Sequence, residues 1–396
     1  MKKMISILLL YFLFSLFLTF TVNGQTLSVG PEEKYQTIQE AIDAAQPNDI
    51  ILVSCGIYNE TIQLLKPLHL YGEEGCTILT HPFDNDIIRV SADNCTISGF
   101  TIMNCVNKSY SGLFLLSDGN HVFNNKFINN SGWGIYLYHC KQNNISNNSF
   151  THDGICMVGS QDEWESMSVK GNMVLGKPII WLKNQRFKNI NDTIYGQLVL
   201  VNSTDCHITN ITVSGTDQGI VLAYSEKCMI RDSTISKCRF GIRLQYSCCN
   251  MLINNTIIND EYGLYITHSD KNQILENILK ENTEFGCYFC CNSKENIISK
   301  NRFINNTQTA YDYFDNLWSN HSIGNYYSDY FGEDENNDGI GDSPYEIPPD
   351  FGENIDGYPI VDFSKLNNKS TTGTPGFLLI GILLSVLFVL FSIKRK

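Results

Sequence analysis

The sequence predicts an all-β chain: a right-handed parallel β-helix solenoid of about 12 coils, with a short helical cap at the N-terminal end and a C-terminal transmembrane helix. Three observations predict it. A Gly followed by alternating apolar residues recurs at Gly112, Gly134, Gly154, Gly219, Gly241, Gly263 and Gly286, with spacings of 22, 20, 65, 22, 22 and 23. An Asn-X-apolar marker runs in step at Asn125/Phe127, Asn148/Phe150, Asn255/Ile257, Asn277/Leu279 and Asn301/Phe303. The chain holds 42 Asn in 396 residues yet is only 17% charged, against about 25% in an ordinary domain. A 22-residue unit cannot bury its own apolar face, whereas stacked units form one continuous core. Asn at a fixed place in each coil can stack its amide on the coils above and below, where a repeated charge would repel its copies.

Taken in order, residues 1–24 read as an export signal. Lys2 and Lys3 precede an apolar stretch, and Val22-Asn23-Gly24 offers a cleavage position. Thr37-Ile38-Gln39-Glu40 is a capping box, and Ile38, Ala41, Ile42 and Ala45 form one apolar stripe suited to covering the first coil. Residues 25–362 make the solenoid. The 65-residue gap fits two further coils without the regular Gly, at Lys177–Leu182 and Gly196–Leu200. Residues 363–376 form a linker. Residues 377–393 are 17 uncharged residues, about 25 Å as a helix and enough to span a bilayer core. Residues 394–396 are three cations, a cytoplasmic basic tail. These ends predict an exported, single-pass protein at the cell membrane or surface. Thirteen Asn-X-Ser/Thr sequons, among them Asn94, Asn129, Asn144, Asn191 and Asn305, are candidate glycan sites.

Composition excludes other classes. The formal charge of −13 argues against a nucleic-acid partner, which requires a basic face. At 43% hydrophobic the chain is not disordered, and 14 Cys are too sparse for a small disulfide scaffold.

Tyr35–Ala45, Asp49–Val53, Gly56-Ile57-Tyr58 and Lys66–Glu73 resemble the opening of pectin-lyase-like β-helix proteins, with Cys55 where that family usually has Pro. Gly176–Trp181 followed by Gly196–Ser203, and the ending Gly324–Tyr330, Asp338–Tyr345 and Ile355–Pro359, are similar to the NosD-like branch. The likeness covers about residues 30–362. Thr371–Thr374 with Pro375-Gly376-Phe377 resembles an archaeal surface-sorting tail. The resemblance implies the fold and leaves activity open.

Four candidate sites follow. Asp334, Asn336, Asp338, Ile340 and Asp342 are spaced as in an EF-hand-type Ca²⁺ loop within residues 334–346, although Tyr345 stands at the twelfth position, Glu346 is one step late and Asp356 is a possible substitute ligand. Phe114, Tyr136, Val221, Arg243, Tyr265 and Tyr288, flanked by Tyr138, Gln245, Tyr246 and His268, form an outward row suited to a sugar chain. Arg243, Arg239, Asp232 and Asp217 are the nearest approach to a lyase base beside acidic metal ligands. Copper handling is the role the resemblance implies, and His139, Cys140, His268, Cys290 and Cys291 are suitable ligand types. Spacing argues against it: His139 and His268 lie about six coils apart, roughly 29 Å. Alternation points Cys287 inward and Cys290 outward. Cys206 and Cys228, one period apart, either bond or remain free thiols.

The expected function is therefore a membrane-anchored extracellular protein that binds polysaccharide or glycan, or a cell-envelope component, with Ca²⁺ rather than copper as its metal. The alternatives are a polysaccharide lyase, epimerase or hydrolase, and a copper-handling maturation protein.

Overall fold

The computed structural model describes residues 24–80, 84–348 and 354–366. The expected export signal (up to residue 23), most of the linker, the membrane span and the basic tail lie outside the described residues. Among the described residues no helix is long and apolar enough to cross a membrane.

The described chain is an all-β solenoid of about 14 turns with little helix. The first seven turns place their strands in a 7-stranded sheet (from Thr26–Val29 to Ser168–Lys170) and a 5-stranded sheet (from Ile62–Leu64 to Ile155–Val158). The later turns use a 6-stranded and a 7-stranded sheet, and a 13-stranded sheet runs through both halves. Pairing is parallel along the stack except where Met173–Val174 pairs antiparallel with Lys177–Lys183, and a separate C-terminal pair, Tyr345–Glu346 with Ile355–Asp356, is also antiparallel. Leu175 and Gly176, at φ +47 and +75, make the two-residue reversal after Val174, a backbone region that Gly enters without steric cost.

The reversal divides the stack into two sections, each with its own core. One core runs from Leu27 to Ile179, the other from Ile190 to Ile347. Leu198, Leu200, Ile220 and Leu222 point into the second core. Their alternate neighbours Val199, Val201, Val221 and Ala223 belong to the first. Strands Gln197–Val201 and Gln218–Ala223 are thus buried on both faces, one face turned into their own section and the other against the preceding one. Burying a Val or Leu side chain contributes roughly 1.5–3 kcal/mol, so the contact holds the two sections together.

Asn builds the turns in two distinct ways. In the pairs Asn124-Asn125, Asn129-Asn130, Asn147-Asn148, Asn254-Asn255 and Asn305-Asn306, the first Asn takes a left-handed φ between 50° and 55°, which Asn tolerates better than most residues. The second turns inward. Asn255, Asn277, Asn301 and Asn325 form one ladder, each Nδ2 donating to the next Oδ1 at 2.9, 3.0 and 2.9 Å. Asn250, Asn272, Asn296 and Asn316 form another, at 3.1, 2.9 and 2.8 Å. Buried polar groups require such partners.

The N-terminal cap matches the sequence. Helix Ile38–Ala44 carries the Thr37/Glu40 capping box and buries Ile38, Ala41 and Ile42. Glu60 adds a carboxylate that accepts from the Ile38 and Gln39 N–H groups at 2.9 Å each. At the other end, Asp356 terminates the Asn255–Asn325 ladder, accepting from the Asn325 N–H at 2.7 Å and the Tyr327 hydroxyl at 2.9 Å. It is therefore a closing residue of the stack and is already engaged there. Burial pushes its pKa up to about 6.

Candidate functional site

The reversal at Gly176 leaves strand Ile155–Val158 as the last member of its sheet, with one open edge. An unpaired strand edge is costly to bury. Side chains from the second section satisfy it. Asp217 Oδ2 accepts from the Gly134 and Gly154 N–H groups at 2.9 and 2.8 Å. Gln197 accepts from the Ile155 N–H at 3.1 Å and donates to the Ile155 carbonyl at 2.7 Å. Arg243 donates to the Met157 carbonyl at 3.5 Å and to Gln218 Oε1 at 3.2 Å. The Tyr224 hydroxyl donates to the Gly159 carbonyl at 2.7 Å. Arg239 lies 4.0 Å over the Trp133 ring and donates to the Gly132 carbonyl at 2.9 Å.

This junction corrects the placement of the catalytic candidates. Arg243 is 6% exposed and Asp217 4% exposed, and both are committed to the strand edge. Asp232 lies beyond the 6-stranded sheet, where it pairs with Arg231 at 2.6 Å and is held below the usual carboxylate range by Asn254 and that guanidinium. Arg239 pairs with Glu261 at 3.7 Å. The four do not form one cluster. Inside the junction, burial raises the pKa values of Asp153 and Asp217, and the Asp217 charge raises Asp153 further. Asp153 accepts from the Asn130 N–H and Nδ2 at 2.9 and 2.8 Å, which places it at the end of a ladder.

The single outward row becomes two rows on different sheets. Phe114 stacks on Tyr136 at 5.1 Å in the first section, with Tyr138 beside them. Tyr265, Tyr288 and Tyr311 stack at 5.4 and 4.9 Å in the second. Trp133 and Phe240 join the rows at 5.6 Å, and Phe240 meets Tyr265 at 4.4 Å. Val221 is fully buried and Gln245 is 2% exposed, because the strands between the rows are covered by the first section. Tyr246 stacks between Tyr224 and His268 at 5.0 and 4.3 Å.

In the acidic loop, Asp334 accepts from the Asp338 and Gly339 N–H groups at 2.9 and 3.0 Å and pairs with Lys365 at 3.3 Å. Asn336 accepts from the Asp338 N–H, Asp338 from the Ile340 N–H, and Asp342 from the Glu335 N–H. The side chains expected to face a cation thus accept from N–H groups of their own turn. Asp356, the substitute ligand, is occupied in the end of the Asn ladder.

The cysteines sort by burial. Eight are buried and carry free thiols, including Cys206, Cys228 and Cys287. Burial pushes Cys95, Cys105 and Cys156 up to about 11 and Cys140 and Cys228 up to about 12, so these behave as small apolar side chains. The six others form three pairs near the surface. Cys248 adjoins Cys249, and Cys290 Sγ lies 3.1 Å from Cys291 Sγ. Cys55 is bonded to Cys76, with Cα atoms 4.9 Å apart. Cys290 points outward as alternation predicts, while burial pushes its thiol up to about 11. His139 faces Glu163 at 3.3 Å and Cys140 is buried beside it, so neither joins the other ligand types. Among the described residues, three ligand-type side chains converge within 4.8 Å at one place, Cys55, Glu73 and Cys76. The sequence reading did not pair these two Cys. Their separation of 21, one solenoid period, was the available signal.

The profile of the family described as "Periplasmic copper-binding protein (NosD)" matches residues 74–181 and 152–332. A "Probable ABC transporter binding protein NosD" of Stutzerimonas stutzeri is 41% identical over 73 residues, 18% of this chain and 17% of that protein's length. The A-module of the Azotobacter vinelandii mannuronan C-5 epimerase AlgE6 is 14% identical with a TM-score of 0.34, over 74% of this chain and 95% of that one. A pectin methylesterase of Aspergillus niger is 16% identical with a TM-score of 0.34, over 59% and 85%. Likenesses of that size carry no argument about substrate or chemistry. The profile match runs against the expectation that disfavoured copper.

Proposed function

The chain belongs to the NosD family of periplasmic copper-binding proteins, and on that premise we propose that it handles copper outside the cytoplasm as a binding scaffold rather than an enzyme. One observation carries the reading. Every Cys that is not buried has a second Cys beside it, and paired thiolates are the soft donors that select Cu(I). The residues that would hold the metal are those surface pairs, Cys55/Cys76, Cys248/Cys249 and Cys290/Cys291. The metal itself would supply only the cargo. An enzymatic role is not part of the reading, since Arg243 and Asp217 are occupied in the junction. The 334–342 carboxylates accept from N–H groups of their own turn, and Ca²⁺ is not part of the reading.

Residues 1–24 as export signal, a right-handed solenoid over 25–362, a linker to a membrane span at 377–393 and a cytoplasmic tail at 394–396 complete the proposal. The right hand follows from the strong preference of parallel crossovers. A transporter partner is suggested by the printed name of the Stutzerimonas relative. The test is an anaerobic Cu(I) titration of the reduced full chain against a chromogenic chelator. Binding that disappears when all thiols are blocked with N-ethylmaleimide supports the reading, and equal binding before and after blocking overturns it.

A second reading, glycan binding, rests on the stacked Tyr265, Tyr288 and Tyr311 rings, flat faces of the kind that pack on sugar rings. Glycan-array signal lost in Tyr288→Ala would support it, and no signal from the intact chain would remove it.

A further inference from the structure

Cys55 sits in the turn between strands Ile50–Val53 and Gly56–Asn59, and Cys76 immediately precedes strand Thr77–Thr80. Gly56 pairs with Thr77 in a parallel register, so the two Cys lie one above the other on successive turns. Stacked positions one coil apart are within disulfide reach by construction. Glu73 follows the strand His69–Gly72 and folds back over them. Its Oε2 is 2.7 Å from Cys55 Sγ and 3.8 Å from Cys76 Sγ. A disulfide sulfur has no proton to donate, so that carboxylate contact has no purpose in the oxidised form. It gains one when Cys55 is a thiol, or when a cation sits between the three atoms. The carboxylate is positioned for the reduced site.

We propose that Cys55, Cys76 and Glu73 are a Cu(I) site that exists only in the reduced chain and that the Cys55–Cys76 disulfide closes. This rests on the copper reading above and assigns it one location among the three thiol pairs. The opening step balances with a dithiol reductant. Its two thiols become a disulfide, two electrons break the Cys55–Cys76 bond, and two protons pass to the freed sulfurs. Cu(I) then displaces those protons to solvent, because the thiolate is the ligand. Two thiolates favour the soft ion and the carboxylate adds a weaker third donor and a negative charge. Among the described residues, the other pairs lack a third ligand-type side chain within the same reach. The site lies at the surface, where both a reductant and a copper donor have access, since Cys55 and Glu73 are exposed.

The experiment compares Cu(I) stoichiometry by chelator competition in the full chain in four forms: reduced, oxidised, Cys55→Ser/Cys76→Ser, and Glu73→Gln. Reduced wild type is expected to hold one Cu(I) more than the double variant, and oxidised wild type to match it. Glu73→Gln keeps both sulfurs and the disulfide. It is expected to keep the stoichiometry and weaken the affinity by about tenfold, within the range for losing one supporting ligand. Equal copper in the reduced wild type and the double variant overturns this site and leaves the copper function standing. No copper in any form overturns both. Zn(II) displacing Cu(I) from the reduced site overturns the metal assignment. Unchanged circular dichroism of Glu73→Gln ensures that the affinity change does not come from unfolding.

Discussion

Replacing Asn277 with Ala tests what holds the stack together. Asn277 is fully buried. Its Oδ1 accepts from the Asn255 N–H at 3.0 Å and the Asn255 Nδ2 at 2.9 Å. Its Nδ2 donates to the Leu252 and Leu275 carbonyls at 2.8 and 3.0 Å and to Asn301 Oδ1 at 3.0 Å. In Asn277→Ala, the Asn255 Nδ2 keeps the Ile230 carbonyl at 2.9 Å, but the buried Asn255 N–H loses its acceptor. An orphaned buried donor costs about 1–3 kcal/mol, and the void left by the amide adds about 1 kcal/mol, so the expected loss is about 2–4 kcal/mol. A solenoid opens locally rather than as one unit, so the assay is native-state hydrogen exchange at Asn255 and its neighbours, not a single melting curve. Exchange there is expected to accelerate roughly 30- to 1000-fold, at tenfold per 1.4 kcal/mol. Asn254→Gly, one residue away at an exposed left-handed φ of 54°, is expected to change exchange by less than about threefold, because Gly suits that φ. Comparable effects in the two variants would refute the assignment of the ladder as the structural element.

Three further outcomes follow. Arg243→Met removes the donor to Met157 O and Gln218 Oε1 and is expected to loosen the junction by about 1–3 kcal/mol. Trp133, Trp164 and Trp181 report on that region, and a shift in their denaturant-induced fluorescence transition is the readout. Asp260 occupies a ladder position beside Asn282, and burial pushes its pKa up to about 8. Its native form therefore holds a proton that the unfolded chain releases near pH 4, so its contribution to stability is full below pH 4 and is lost as pH rises through about 8. Asp260→Asn, which can donate to Asn282 as the neighbouring ladder amides do, is expected to flatten the fall in stability between about pH 4 and 8. Thermal unfolding across that range checks it. Reducing Cys55–Cys76, which closes a separation of 21 residues, is expected to destabilise the N-terminal turns by about 3 kcal/mol, read as faster exchange around strands Gly56–Asn59 and Thr77–Thr80.

The repeat, the helical cap and the ladders were legible because each is a local pattern at a fixed period. Thr37/Glu40 and Asn255/Asn277/Asn301 have the partners their spacing implies. The division at Gly176 was not legible. The 65-residue gap fits an unbroken stack equally well, and the antiparallel pairing of Met173 with Pro178 leaves no periodic mark. That one feature moved the site readings most. It buried Val221, Arg243 and Gln245, split the aromatic row at Trp133 and Phe240, and turned Asp217 from a catalytic candidate into a cap for a strand edge. The Asn-Asn pairs carried two roles where the sequence suggested one, because a left-handed φ is a backbone property. In the acidic loop the right residue types stand at the right intervals, yet intervals do not fix where an Asp carboxylate points when its own turn offers N–H donors.

The most direct test of the copper assignment is X-ray absorption at the copper edge on the reduced full chain loaded with one equivalent of Cu(I). Sulfur neighbours in the first coordination shell, lost when all thiols are blocked with N-ethylmaleimide before loading, are the predicted result. A first shell of nitrogen and oxygen alone would contradict it.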